Sequence, residues 1–249
     1  MITIKSEREL SYMREAGEVV AQALDLMKEN VKPGISTKEL DDIVTDFMEK
    51  VGARPSFKGY QGFPAAICAS VNEELVHGIP RRDKILREGD ICSIDVGAEV
   101  KGYHGDAAKT FAVGDITDEA KHLLQITEKA LMDGIAAATS GARLSDISHA
   151  VQVEVESHNY SVPREYTGHG IGQEMHEDPQ VLNYGPPGRG IKLKPGLTLA
   201  IEPMVIAGDY RVKELDDGWT VVSVDGSLCA HFEHTICVRE GQAEILTKR

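Results

Sequence analysis

Two ten-residue stretches, LREGDICSID at residues 86–95 and LKPGLTLAIE at residues 193–202, decide how this chain is organised. Both begin with leucine, carry glycine at the fourth position, continue as an apolar strand-like run and end on a carboxylate. They lie 107 residues apart, and the same offset joins Gly34 to Gly141. One offset that holds across several segments predicts an internal duplication, with halves of approximately residues 6–114 and 115–249.

Working outward from these stretches, each half begins with two helix-like segments separated by a glycine. Apolar residues recur at helical spacing, and Ser6 with Glu9 forms a capping box at the start. Four helices are predicted: one from Ser6 to about Lys28, one from Ser36 or Thr37 to about Gly52, one over about residues 118–138 after Thr117, and one opened by Ser145. The chain of 249 residues is expected to be a single domain, residues 1–249, built from the two halves.

Composition narrows the class of protein. The net charge of −13 argues against a nucleic-acid surface, because phosphate binding needs clustered Lys and Arg. The start of the chain lacks the apolar core of a signal peptide, and no apolar stretch approaches the roughly 20 residues that span a bilayer. The four cysteines, Cys68, Cys92, Cys229 and Cys237, form no C-x-x-C pair and are expected to be buried reduced thiols. We therefore expect a cytoplasmic protein without a membrane partner.

A hairpin is predicted to bring two carboxylates together. Residues 91–96 and 106–113 are typical of two strands joined by a turn near residues 99–102. If the hairpin is centred between Val100 and Lys101, Asp95 and Asp106 are directly opposed, with Cβ atoms about 4.5 to 5.5 Å apart. Two facing carboxylates are unfavourable unless one is protonated or a cation lies between them. The alternative is that both are solvated charges at strand ends.

The second half offers a similar pair, with Glu202 at the end of one strand and Glu233 at the start of another. Asp106 and Glu233 differ by 127 residues, which implies an insertion of 20 residues in the second hairpin. That insertion contains Trp219, the only tryptophan, and could line a pocket.

His169 adds an imidazole to these four carboxylates. It lies in GHGIG, residues 168–172, where glycines allow close backbone approach. A histidine among glycines is commonly an ordinary loop residue, but with the repeated carboxylates it favours two divalent ions. Four ionised carboxylates balance the charge of two such ions, and the oxygen-rich set suits Mn, Fe(II), Co or Zn. Two ions about 3.5 to 4 Å apart can activate one water for hydrolysis.

Five motifs occur in order along the chain: VHGIP at 76–80, Asp95 with Asp106, GHGIG at 168–172, IEPM at 201–204 and EHT at 233–235. With these motifs the chain resembles the type I methionine aminopeptidase family over nearly its full length. The resemblance implies an α+β pita-bread fold, in which two pseudo-twofold-related halves place helices on a curved antiparallel β-sheet. It also implies removal of the initiator methionine from nascent proteins when the second residue is small.

The resemblance assigns roles to single residues. Asp95 looks like the chelating ligand of one ion, Asp106 and Glu233 look like bridging ligands, and His169 and Glu202 look like the remaining ligands of the other ion. Glu202 is expected to shuttle a proton of the attacking water, while His77 and His176 are expected to bind the substrate. From the residues alone, His77 and His176 could equally be exposed in turns.

The methionine pocket implied by the resemblance contains Tyr60, Phe63, Cys68, Met175 and Trp219, although each of these could be ordinary core packing. The expected partners are nascent N-termini at the ribosome, and a monomer is expected. Two other functions share the fold: an Xaa-Pro aminopeptidase or prolidase, and a metal-free peptide-binding protein. The former usually carry a separate N-terminal domain, and only about eighty residues precede His77 here.

Overall fold

The structure, a computed structural model, describes residues 2–249 and is an α+β arrangement, as predicted. Its helices are α1 (Glu7–Asn30), α2 (Thr37–Val51), α3 (Asp118–Ala137) and α4 (Leu144–Ser157). Its strands are β1 (Arg54–Pro55), β2 (Ile67–Val71), β3 (Glu74–Val76), β4 (Ile91–Val100), β5 (Tyr103–Ala112), β6 (Gly168–Gly170), β7 (Glu177–Val181), β8 (Thr198–Ile201), β9 (Met204–Ile206), β10 (Val212–Glu214), β11 (Val221–Ser223), β12 (Cys229–His231), β13 (His234–Cys237) and β14 (Glu244–Ile245).

Side-chain caps fix where the helices begin. Ser6 and Ser36 are the N-caps of α1 and α2, each with a complete capping box, and Thr117 is the N-cap of α3. The cap of α4 differs from the prediction, because Arg143, and not Ser145, precedes the first turn. There the Asp146 carboxylate accepts from the Arg143 backbone N–H at 2.7 Å, while the Ser145 hydroxyl accepts from the backbone N–H of Arg189.

Each half has its own antiparallel sheet with helices against one face. In the first half, β4 pairs with β5 on one side and with β1 and β2 on the other. In the second half the strand order is β14-β13-β8-β6-β7. Buried apolar side chains of α1 and α2 pack on β4 and β5, and those of α3 and α4 pack on β8 and β13. The four cysteines are buried and unpaired, as predicted. Within residues 2–249, no helix is long and apolar enough to cross a bilayer.

The β4–β5 hairpin has a different register from the predicted one. Its turn is Lys101-Gly102, with φ angles of 54° and 80°, which fits a two-residue type I′ turn. Asp95 therefore faces Ala108, and Asp106 faces Gly97. The two carboxylates are diagonal neighbours on one face, so the prediction that they are directly opposed is wrong by one step of register.

The two halves repeat the same backbone hydrogen bonds. At an offset of 107, the hydrogen bond from Gly34 N–H to Leu86 O matches the one from Gly141 N–H to Leu193 O. The hydrogen bond from Leu86 N–H to Ile35 O likewise matches the one from Leu193 N–H to Ala142 O. The isolated bridge between Ser36 and Ile85 matches the bridge between Arg143 and Lys192. Beyond the first strand of each hairpin, Val113 N–H donates to Asp90 O and Val238 N–H to Leu197 O, which places the second strands at an offset of 125.

This offset corrects the predicted correspondence between the hairpins. Gly97 pairs with Asp106 in the first half, and Met204 pairs with His231 in the second. His231 therefore occupies the position equivalent to Asp106, and Glu233 occupies the position equivalent to Ala108. The sequence offset of 127, which matches Asp106 with Glu233, is wrong because the carboxylates of the two halves do not occupy equivalent strand positions.

Two threonines join the halves where these hairpins meet. The Thr235 hydroxyl accepts from the Asp106 N–H at 3.0 Å and donates to the Asp106 carbonyl at 2.8 Å. The Thr110 hydroxyl does the same to His231, with both distances at 2.9 Å. Thr110 and Thr235 are themselves equivalent at an offset of 125. These reciprocal threonine clamps hold the second strand of each half against the other half.

Candidate metal centre

The structure brings the five predicted ligands together between the two sheets. Asp95 lies in β4, Asp106 in β5 and His169 in β6, Glu202 directly follows β8, and Glu233 directly precedes β13. His169 Nε2 lies 3.6 Å from Glu202 Oε1 and 3.8 Å from Asp106 Oδ2. Asp106, His169 and Glu233 all place a ligand atom within 4.8 Å of one another.

Glycines position His169, as the sequence indicated. A Cβ atom on Gly168 would lie 2.4 Å from the Ala200 carbonyl oxygen, and one on Gly170 would lie 2.2 Å from the Asp178 carbonyl oxygen. Strand β6 can therefore insert between β7 and β8 only with glycine on both sides of His169. The His169 Nδ1 atom lies 2.8 Å from the Gly170 carbonyl, which fixes the proton on Nδ1 and leaves Nε2 to face the carboxylates.

Three carboxylate oxygens at the centre of the cluster lack a partner. Among residues 2–249, no group hydrogen bonds to Asp95 Oδ1, Asp106 Oδ1 or Glu233 Oε1, and all three atoms are buried. Buried polar atoms are normally satisfied, so their convergence on one space indicates a cation. The donor set of four carboxylates and one imidazole suits a hard or borderline divalent metal.

The electrostatics of the cluster also favour a bound cation. Burial raises the pKa of Asp95 to about 7 and the pKa of Glu202 to about 8. Burial, followed by the charge of the neighbouring carboxylates, raises the pKa of Asp106 and of Glu233 well above the usual range. Burial lowers the pKa of His169 to about 3, so its imidazole is neutral at pH 7 and available as a ligand.

An apolar cavity of about 200 Å³ opens directly onto the carboxylates. All five predicted pocket residues line it: Tyr60, Phe63, Cys68, Met175 and Trp219. The rings of Phe63 and Trp219 meet edge to face at 5.1 Å, so the inserted loop of the second half does supply a wall of the pocket. Phe57 and Gln61 also line it and were missed, because neither belongs to a motif.

The two remaining predicted histidines lie at the boundary between the cavity and the carboxylates. His176 stacks on Tyr60, and its Nδ1 lies 3.0 Å from the Tyr60 hydroxyl. His77 adopts a left-handed backbone with φ 59° and packs edge to face on Trp219. Burial lowers the pKa of His77 to about 4 and lowers that of His176, so both are neutral at pH 7 and can donate from one ring nitrogen.

A further histidine, His231, also faces the carboxylates and was not predicted. Its Nε2 lies 3.5 Å from Glu202 Oε2 and 3.9 Å from Glu233 Oε2. The signal that could have found it is the strand register, which makes His231 the equivalent of Asp106.

Comparison with known proteins places this arrangement in a family. The model of metallopeptidase family M24 matches residues 11–240. Methionine aminopeptidase 1 of Bacillus subtilis is 58% identical over 248 residues, with 100% of both chains covered, and a methionine aminopeptidase of Clostridium acetobutylicum is 53% identical, with 99% of both covered.

Comparison with solved structures gives a similar result. A methionine aminopeptidase of Thermotoga maritima superposes with a TM-score of 0.99 at 49% identity, covering 100% of each chain. A prolidase of Pyrococcus furiosus superposes with a TM-score of 0.81 at 23% identity, covering 99% of this chain and 65% of that one, and shows only a shared fold. The predicted pita-bread fold is confirmed by these superpositions.

Proposed function

We propose, from the premise that this chain belongs to metallopeptidase family M24, that it is a methionine aminopeptidase that removes the initiator methionine of nascent proteins. The observation that carries the proposal is the junction of two features: a buried carboxylate and imidazole cluster, and an apolar cavity that ends on it. A peptide with its first side chain in the cavity would present its first amide bond to the cluster. The small second residue would fit beside His77 and His176.

Two divalent ions fit the donor set, with Co, Mn, Fe(II) and Zn as candidates. Asp95 would hold one ion, His169 and Glu202 would hold the other, and Asp106 and Glu233 would contribute to both. When bound, such ions supply Lewis-acid activation of a water and of the scissile carbonyl. Four carboxylates supply the negative charge that offsets two doubly charged cations.

The chain's own groups then handle the proton and the substrate. Glu202 is mostly buried, with 13% of its side chain exposed, and is proposed to carry a proton from the attacking water to the leaving amine. The Tyr60 hydroxyl can donate to His176 Nδ1, which leaves the His176 Nε2–H to donate to the developing oxyanion. His77 is proposed to bind the peptide from the opposite wall.

The apolar cavity accounts for the choice of methionine. A flexible thioether packs well against aromatic rings and against the sulfur atoms of Cys68 and Met175. Burial raises the pKa of the Cys68 thiol well above its usual value, so this group serves as neutral lining and not as a nucleophile. Discrimination by shape alone amounts to about 1 to 3 kcal/mol, so leucine should be a slow substrate.

The remaining proposals concern the setting of the reaction. We propose that the protein works in the cytoplasm, as a monomer, on chains that leave the ribosome. The acidic net charge of −13 disfavours stable binding to nucleic acid.

A peptide panel tests the function. We expect metal-loaded protein to cleave Met-Ala-Ser efficiently, Leu-Ala-Ser slowly, and Met-Lys-Ser hardly at all, with kcat/KM as the measurement. A displacement of the scissile carbonyl by about 1 Å costs on the order of 100-fold, which is the expected penalty for the large second residue. Equal kcat/KM for Met-Ala-Ser and Met-Lys-Ser would point to a general aminopeptidase, and cleavage of Ala-Pro peptides alone would point to an Xaa-Pro enzyme.

A further inference from the structure

His231 has the position of a ligand without belonging to the proposed ligand set. It is the register equivalent of Asp106, since Met204 pairs with His231 as Gly97 pairs with Asp106. Its side chain is 98% buried and is directed toward the carboxylates. The equivalence explains why the side chain points into the site, because the second strand of each hairpin presents this position to the space between the halves.

The backbone of His231 is held by two hydrogen bonds to Thr110. The Thr110 hydroxyl donates to the His231 carbonyl and accepts from the His231 N–H. Because the single Thr110 proton is used in this way, the Ser93 hydroxyl, 2.8 Å away, is the donor to Thr110. All three residues are buried, so the direction of the imidazole is set by strands of the opposite half.

The two carboxylate oxygens of Glu202 face different histidines. His169 Nε2 lies 3.6 Å from Oε1, while His231 Nε2 lies 3.5 Å from Oε2. Among residues 2–249, nothing hydrogen bonds to His231 Nε2, although the atom is buried. A shift of a few tenths of an ångström would complete a hydrogen bond between His231 and Glu202.

We propose that His231 is a positioning residue, whose Nε2–H donates to Glu202 Oε2 so that Oε1 is directed at the ion shared with His169. This inference rests on the proposed function, because it assigns Glu202 to that ion. Without the donor, the Glu202 carboxylate can rotate, and neither its ligation nor its proton transfer keeps one geometry. Partners that orient metal ligands in this way are commonly worth 10- to 100-fold in metal affinity or activity.

Three substitutions at His231 test the proposal. His231→Gln keeps an N–H donor with similar reach, His231→Asn keeps the donor but shortens the reach, and His231→Leu removes the donor. His122→Leu, on the exposed face of α3, is the matched control for loss of an imidazole. The measurements are calorimetric Co(II) affinity, the visible absorption spectrum of the Co(II) protein, and kcat and KM for Met-Ala-Ser.

We expect His231→Leu and His231→Asn to weaken Co(II) binding by about 10- to 100-fold, to change the Co(II) spectrum and to lower kcat with KM within about twofold. His231→Gln should restore affinity and spectrum to near those of the unsubstituted protein, a rescue that loss of packing alone would not show. His122→Leu should leave all measurements unchanged.

Two results would overturn the proposal. One is a folded His231→Leu protein, or a His231→Asn protein if the former does not fold, with unchanged Co(II) affinity and spectrum. The other is a decrease in the number of imidazoles bound to Co(II), counted by X-ray absorption in His231→Gln, which would make His231 a direct ligand. Failure of the proposed function is distinguishable, because wild-type protein would then bind Co(II) as expected and leave Met-Ala-Ser uncut.

Discussion

At the scale of single residues, the site combines groups whose burial is unfavourable until a cation is present. The clearest contrast is between Glu202, proposed as ligand and proton carrier, and His176, which faces the cavity and contacts Tyr60. Their substitution should therefore separate metal binding from chemistry.

We expect Glu202→Gln to lose both activity and part of its metal affinity, because an amide neither carries the ligand charge nor accepts the proton. His176→Ala should lower kcat by about 100-fold or more through the lost oxyanion donor, yet bind metal as the wild type does. Calorimetry with Co(II) or Mn(II) alongside kcat separates the two. A His176→Ala protein that no longer binds two ions would contradict the role proposed for His176.

Most residues of the site could be predicted from the sequence, and the failure to predict His231 has a physical reason. The five proposed ligands and the five proposed pocket residues all line one cavity, because each lies beside a glycine, a strand end or a motif that limits its placement. His231 was missed because matching carboxylate with carboxylate makes Glu233 the equivalent of Asp106, whereas the strand register, which depends on the length of the second hairpin, makes His231 its equivalent.

At the scale of elements, the position of β6 depends on how closely β7 and β8 pack against it. A Cβ on Gly170 would meet the Asp178 carbonyl oxygen at 2.2 Å, a backbone atom that cannot move aside cheaply. His169 is carried by this strand, so the packing of β6 and β7 determines the position of a proposed ligand.

Gly170→Ala should therefore destabilise the fold by about 1 to 3 kcal/mol through overpacking and weaken metal binding by displacing His169. Gly241→Ala is the matched control, since a Cβ there meets nothing within 4 Å. Denaturant unfolding and Co(II) titration of both variants are the measurements. Unchanged metal affinity in Gly170→Ala would show that β6 moves without carrying His169 away from the carboxylates.

Local sequence signals predicted the helices and strands more accurately than they predicted the pairing of the strands. The N-cap residues Ser6, Ser36 and Thr117 determine where α1, α2 and α3 begin, because a cap acts within a few residues. The register of β4 with β5 depends on the Lys101-Gly102 turn, and lysine with φ 54° is not an evident turn residue from sequence. One residue of misplacement was enough to misassign the partners of Asp95 and Asp106.

At the scale of the whole molecule, we propose that the chain is one domain made of two equivalent halves. The matched hydrogen bonds at offsets of 107 and 125 support this, and each half contributes carboxylates to one shared site. The stability of the protein should consequently depend on what neutralises those charges.

Removal of metal should lower stability more at high pH than at low pH. The pKa of Asp95 is raised to about 7 and that of Glu202 to about 8 in the metal-free fold, above their unfolded values near 4. The two protonated carboxyl groups contribute fully to the free energy of unfolding below pH 4. This contribution is lost as pH rises through 7 and 8, because ionisation inside the fold is unfavourable. Thermal unfolding of metal-free and Mn(II)-loaded protein should differ little at pH 5.5 and widely at pH 8.5. An equal difference at both pH values would contradict this assignment.

Stripping the metal should also abolish peptidase activity reversibly, because the proposed mechanism relies on bound divalent ions to activate the attacking water. Activity should return on addition of Co(II), Mn(II) or Fe(II), with elemental analysis as the control for residual metal. Full turnover by metal-free protein would exclude the proposed mechanism.

The reciprocal threonine clamps have a consequence for the order of folding and metal-site formation. Thr110 holds His231 and Thr235 holds Asp106, so contacts across more than 120 residues of chain separation must form before the centre exists. Contacts of such long range form late in folding, because the intervening loop must close first. We therefore expect metal uptake to follow the slowest phase of refolding, and a chain still held by its synthesis machinery at β12 to have no competent site.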